Sequence, residues 1–270
     1  IRDDLVTGVQ TCALPILKFS LNLNKIALLR NARGENYPSL EEYAYKAIEL
    51  GVDGLTLHPR PDHRHATSDD VISLAKITRD RGVEFNIEGN PFSEPSESFK
   101  GYVNLVNACQ PDQATLVPDL PNQITSDHGW ESGDHDDDLI KLINNLNNLC
   151  QNTSISLFVD NLKNQDTNID AIDYALKVNA NTIEIHTGEF SKLIDIKDFT
   201  INAKLEELIY TAKEKNLMVN AGHDLNLNNL PHLVKIGGIN EVSIGHAIIV
   251  DALNYGFEDT IKRYIEVIKG

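Results

Sequence analysis

The chain has 270 residues, 41% hydrophobic and 24% charged, a balance that suits one globular domain with a sizeable core. Its formal charge of −16 argues against a nucleic-acid partner, whose phosphates need clustered Lys and Arg, but leaves room for small phosphorylated substrates. Cys12, Cys109 and Cys150 form no C-x-x-C pair, which argues against a disulfide framework and favours a reducing, cytoplasmic setting, and no apolar run suggests a membrane span.

Residues 1–16 are set apart from a single domain expected over 17–270. The string Val6-Thr-Gly-Val-Gln-Thr-Cys-Ala-Leu-Pro-Ile16 looks like a translated sequencing adapter, so the segment is read as non-native. Asp3 and Asp4 stand where a secretory signal would carry positive charge. Beyond it, short apolar or β-branched runs predict strands at Lys18–Asn24, Gly54–His58, Glu84–Glu88, Ala114–Pro118, Ser154–Asp160, Thr182–His186, Leu217–Ala221 and Glu241–Gly245. Helical patterns lie between them. Ser39-Leu-Glu-Glu42 reads as a capping box and Gly51 as a stop; Ser68 reads as the cap of a helix running to Arg81. Further helices are predicted over 97–109, 136–149, 168–179, 200–216, 228–236 and 256–269. Eight strand–helix alternations predict a closed α/β barrel of the (β/α)8 TIM type. An open doubly wound sheet is the alternative, weakened because no Gly-x-Gly-x-x-Gly follows the first strand. The stretch from Pro118 to about Asp134 is long and polar, and reads as either a lid or an ordinary surface loop.

Polar residues recur where predicted strands end: Asn22 and Asn24, His58, Glu88, Asp160, Glu184 and His186, His223, and His246. In a barrel these ends converge on the face that carries catalysis. His58-Pro-Arg-Pro-Asp-His-Arg-His65 packs three His and two Arg behind one strand. A neutral His exchanges protons near neutral pH, and Arg60 and Arg64 suit phosphate oxygens. A metal site or a solvated basic loop is the bland reading; no paired-His helical motif supports the metal, and His63 reads as surface. Glu88 beside apolar neighbours reads as a base of raised pKa, although alone it would pass for a paired structural Glu. Asn220-Ala-Gly-His-Asp224 and Ser243-Ile-Gly-His-Ala247 place Gly-His pairs after the last two strands, where barrels bind phosphate. His128, His135 and His232 are given no role, and Asp134–Asp138 reads as a solvated helix start.

These motifs resemble the pyridoxine 5'-phosphate synthase family. The resemblance rests on Asn22-Leu-Asn-Lys-Ile-Ala-Leu-Leu-Arg-Asn-Ala-Arg-Gly34, the His58–His65 run, Glu184-Ile-His-Thr-Gly188, Asn220-Ala-Gly-His223 and Ile244-Gly-His-Ala-Ile-Ile249, in family order. It implies a barrel with extra helices, assembled as a homo-octamer, with no metal or organic cofactor. It implies condensation of 3-amino-2-oxopropyl phosphate with 1-deoxy-D-xylulose 5-phosphate to pyridoxine 5'-phosphate, phosphate and water. By position, His58 and Glu88 correspond to proton acceptors, His223 to the proton donor, and Glu184 to a residue that stabilises the transition state. Asn22, Arg33, Asp224, Gly245 and His246 correspond to contacts with the amino-ketone phosphate; Asp224 stands where the family usually has Gly, which implies a backbone contact. Arg60, His65 and Thr125 correspond to contacts with the deoxyxylulose phosphate, as do Asn24 and Lys25, which replace the family's usual Asp-His pair. Thr125 on the loop after the fourth strand favours the lid reading.

Two other readings compete. A Schiff-base aldolase or an isomerase would be another phosphate-binding barrel, but the only lysines near predicted strands are Lys18 at the start of the first and Lys25 beyond its end. An inactive barrel scaffold draws support only from Asn24 and Lys25.

Overall fold

A computed structural model describes residues 16–120, 123–133, 135–160 and 168–270. The set-apart N-terminal segment lies outside the described residues except for Ile16, as do Cys12 and Asp134. Eight parallel strands, β1 Lys18–Asn22, β2 Gly54–Leu57, β3 Glu84–Gly89, β4 Gln113–Leu116, β5 Ser154–Val159, β6 Thr182–His186, β7 Met218–Gly222 and β8 Glu241–Ile244, pair in chain order. The barrel closes through β1 against β8, with Ser20 opposite Ser243. Around it run α1 Asn24–Asn31, α2 Leu40–Leu50, α3 Ser68–Arg81, α4 Tyr102–Cys109, α5 Asp136–Leu149, α6 Asn168–Lys177, α7 Gly188–Asp195, α8 Ile201–Glu214, α9 Leu230–Ile236, α10 His246–Tyr255 and α11 Phe257–Lys269.

The strands alternate more sharply than a purely apolar run. Phe19 and Leu21, Leu55 and Leu57, Phe85 and Ile87, and Ile183 and Ile185 are buried members of the hydrophobic core. The intervening residues are polar and meet inside the barrel. Ser20 and Thr56 hydroxyls lie 2.7 Å apart. Asn220 Nδ2 donates to Gln113 Oε1 at 2.8 Å, which joins β7 to the non-adjacent β4 across the lumen. Thr115 Oγ1 donates to Asn86 Oδ1 at 3.1 Å. The barrel therefore holds a hydrogen-bonded polar layer, while its apolar residues belong to the core shared with the helices.

Local capping explains where several helices start. Ser39 accepts from the Glu42 N–H, as its motif predicts. At α3 the cap is Thr67, not Ser68: Thr67 and Asp70 form a reciprocal capping box, and the Ser68 hydroxyl instead accepts from the Lys100 N–H. Three helices escape the cap signals. Helices α1, α7 and α10 begin two residues beyond the last residue of β1, β6 and β8, with no side-chain cap bond at Leu23, Thr187 or Gly245. Asn24, expected inside the first strand, is thus the first residue of α1. These helices sit at the strands' C-terminal ends, where they shape the candidate site. Among the described residues no helix is long and apolar enough to cross a membrane.

Candidate active site at the strand ends

His58 directly follows β2, and its side chain is 7% exposed. Its backbone N–H donates to Asn24 Oδ1 at 2.9 Å. Its ring stands between two carboxylates: Nδ1 is 3.7 Å from Glu88 Oε2, and Nε2 is 3.3 Å from Asp119 Oδ2. Asn22 Nδ2 donates to the same Glu88 oxygen at 3.3 Å. Arg60 donates to Asp119 Oδ2 and, at 3.0 Å, to the Gln123 carbonyl. The His65 ring lies 5.9 Å from that of His58.

Burial sets the protonation of this group. It pushes His58 well below the ordinary imidazole range, helped by the positive charges of Arg60 and Arg64 and by competition for protons with His65 and His223. His65 falls to about 3 through burial, Arg60 and Lys25. Both rings are neutral at neutral pH and can accept protons. Burial first, then the charges of Glu184 and Asp119, raise Glu88 well above the usual carboxylate range, against Arg60 and the Ser243 hydroxyl.

A second group gathers at the ends of β5, β6 and β7. The His186 and His223 rings are 4.7 Å apart, and Phe158 packs against both at 5.6 and 5.7 Å. His186 Nδ1 lies 3.5 Å from Asp160 Oδ1. Burial and the neighbouring His186 lower His223 to about 4. Burial raises Glu184 to about 7, partly offset by a 3.4 Å hydrogen bond from Thr115. Gly222 makes room for Glu184, since a Cβ there would come within 2.6 Å of Glu184 Oε1. His223 and Asp224 have φ of 85° and 56°, a left-handed conformation that is costly for side chains other than glycine. The Thr187 hydroxyl lies 2.6 Å from both the Gly222 and His223 carbonyls, which braces the bend.

Gly245 closes the ring of elements: a Cβ there would lie 3.0 Å from both Asn22 Cβ and the Asn22 carbonyl oxygen. It is the N-cap of α10, whose free N–H groups favour an anion.

The structure therefore brings together Asn22, Asn24, His58, Arg60, His65, Glu88, Glu184, His223 and Gly245. Lys25 is half-buried on α1, near enough for its charge to lower His65. Arg33, Thr125, Asp224 and His246 are exposed. Lys18 carries its ammonium to Glu84 at the opposite end of the strands, 2.7 Å away, so no strand lysine among the described residues stands at the mouth. Among the described residues no cluster of His, Cys, Asp and Glu suits a metal ion. Sequence reasoning passed over Asp119 and Ser126, which meet in a 3.0 Å hydrogen bond beside His58. The available signal was a carboxylate just beyond the fourth strand, hidden within a loop read as one piece.

Fold and strand-end chemistry together define a (β/α)8-barrel enzyme. Solved structures agree on the fold: tryptophan synthase of Mycobacterium tuberculosis matches with a TM-score of 0.60 at 10% identity, over 95% of this chain and 93% of its own. Thiamine phosphate pyrophosphorylase of Pyrococcus furiosus matches with a TM-score of 0.56 at 12% identity, over 94% and 95%. The family model described as "Pyridoxal phosphate biosynthesis protein PdxJ" matches residues 19–270. The pyridoxine 5'-phosphate synthase of Xylella fastidiosa (strain 9a5c) is 40% identical over 260 residues, covering 93% of this chain and 94% of its own. That of Xanthomonas axonopodis pv. citri (strain 306) is 40% identical over 254 residues, covering 93% and 96%. The chain belongs to the pyridoxine 5'-phosphate synthase family.

Proposed function

We propose that this enzyme condenses 3-amino-2-oxopropyl phosphate with 1-deoxy-D-xylulose 5-phosphate to pyridoxine 5'-phosphate, phosphate and water, by His/Glu acid–base chemistry. The observation that carries the proposal is the pairing of neutral His58 with protonatable Glu88 beside Arg60, facing Glu184 and His223 across one barrel mouth. An amine must add to a ketone, water and phosphate must leave, and a ring must close. Each step moves protons, and groups within reach of one cavity supply and take them.

In this reading His58 and Glu88 accept protons. Glu184, raised to about 7, gains or loses charge at little cost and stabilises the transition state. His223 is neutral without substrate; a phosphate dianion beside it raises its pKa and makes it a proton donor. The amino-ketone phosphate engages Asn22, Arg33, Asp224, Gly245 and His246, with the N-terminus of α10 as anion site. The deoxyxylulose phosphate engages Asn24, Lys25, Arg60, His65 and Thr125, under the loop after β4 as lid. A homo-octamer in the cytoplasm, working without metal or organic cofactor, completes the proposal.

The test supplies both substrates to the purified protein and follows pyridoxine 5'-phosphate and free phosphate together. Equal release of the two is expected. Phosphate release without the ring product, or no turnover at all, would overturn the proposal.

A further inference from the structure

We infer that Asp119 is a positioning residue, whose carboxylate ties the loop after β4 to the imidazole of His58 and the guanidinium of Arg60. The inference rests on the reading of His58 as a proton acceptor. Asp119 belongs to none of the motifs that carry the family resemblance. It lies just past β4, and its side chain is 5% exposed. Asn90, just after β3, fixes its main chain by donating to the Asp119 carbonyl at 2.7 Å. Its Oδ2 accepts from Arg60 and, at 3.0 Å, from Ser126, and stands 3.3 Å from His58 Nε2. Two chain segments thus meet at one oxygen: the loop after β2, through Arg60 and His58, and the loop after β4, through Ser126.

As a purely stabilising device this carboxylate is poor. Its Oδ1 is buried with no hydrogen-bond partner among the described residues, and a buried, half-satisfied charge costs stability. As a positioning device the arrangement fits. A carboxylate at Nε2 favours the tautomer with its proton there and leaves the Nδ1 lone pair free on the Glu88 side. It also holds Arg60, which donates to the Gln123 carbonyl, so one carboxylate both orients the base and anchors the loop.

The charged groups facing Asp119 are Arg60 and His58 from the loop after β2, Asp127 and His128 from its own loop, and Glu88 from β3. Removing its charge should lower the pKa of His58 and of Glu88, and it deletes its own titration. Where His58, Glu88 or Asp119 itself governs the acidic limb of kcat/KM, that limb moves to lower pH.

The experiment measures kcat, KM and the pH profile with both substrates in wild type, Asp119→Asn, Asp119→Glu and Ser126→Ala. Asp119→Asn is expected to lower kcat by about tenfold or more and shift the limb to lower pH. Asp119→Glu keeps the charge and is expected to hold the limb in place with a smaller loss of kcat. Ser126→Ala removes one donor from the same oxygen and is expected to raise KM for deoxyxylulose phosphate, a result that does not depend on how Asp119→Asn folds. Wild-type kcat and limb in Asp119→Asn, a limb displaced equally by Glu, or wild-type KM in Ser126→Ala would each overturn the inference alone. Absence of turnover in the wild type would overturn the reaction, and this inference with it.

Discussion

Asn24 and His58 are joined by a single hydrogen bond, in which the Asn24 side-chain oxygen accepts the His58 backbone N–H at 2.9 Å. The same residue donates its own N–H to Asn22 Oδ1 at 3.0 Å. The first turn of α1 thereby holds the end of β2. An amide serves this purpose as well as a carboxylate would, because only an acceptor is required. Asn24→Ala would leave a buried donor unsatisfied, a loss of about 1–3 kcal/mol. A lower Tm and a lower kcat are expected for Asn24→Ala, and a near wild-type Tm for Asn24→Asp. Equal Tm values for Ala and wild type would show that the bond contributes nothing.

His58→Asn is expected to preserve the fold and to lower kcat by about 10²–10⁴-fold, the usual worth of a placed acid–base group. Its backbone bond to Asn24 survives the change, so circular dichroism should match wild type. Turnover near the wild-type rate would remove His58 from the mechanism.

Much of the barrel was legible because its strands are short, buried and evenly spaced, and β6 matches its expected bounds. The strand ends were less so. The chain turns into α1 at Leu23 with φ −90° and ψ 5°, and no cap residue marks the turn, so the strand pattern runs on to Asn24. Helices α7 and α10 were invisible for the same reason. Within the site, His58, Glu88, Glu184 and His223 are legible as polar residues at or near the ends of β2, β3, β6 and β7. Asp119 is not, because its significance lies in contacts with Arg60, Ser126 and His58, which are remote in sequence or unmarked by any spacing.

Gly222→Ala should damage the site without unfolding the barrel. The added methyl would stand 2.6 Å from Glu184 Oε1, at the end of a side chain, so the carboxylate must swing away. The expected result is a fall in kcat of about tenfold or more, since misplacing a reacting group even slightly is costly, with Tm close to wild type. An unchanged kcat would show that the position of Glu184 is not critical.

Stability should depend on pH through His223. Its ordinary value is 6.5 and its folded value about 4, so between these limits the unfolded ring binds a proton that the folded ring refuses. Stability from this group is full above the unfolded pKa and is lost as pH falls towards the folded one. His223→Asn removes the effect. Relative to wild type, the variant should therefore gain about 2 kcal/mol between pH 7.5 and pH 5, read from urea midpoints. A constant difference across that range would show that the ring titrates normally in the folded protein.

Lys25 is expected to hold an anionic substrate from the first turn of α1. It is half-buried, and its charge contributes to the depressed pKa of His65, which puts it within electrostatic reach of the His58–His65 loop. An ammonium on a flexible stem suits a phosphate or a polyol better than it suits proton abstraction near neutral pH. It acts on bound substrate in ground state and transition state alike. Lys25→Met should therefore raise the KM for deoxyxylulose phosphate with little change in kcat, the pattern of lost uniform binding. The same variant removes one of the charges that hold His65 low, so the His65 ring should titrate at a higher pH than in wild type. The two readouts separate the possibilities: a higher His65 pKa with unchanged KM would place Lys25 near the loop but away from the substrate. Unchanged values for both would return it to the protein surface.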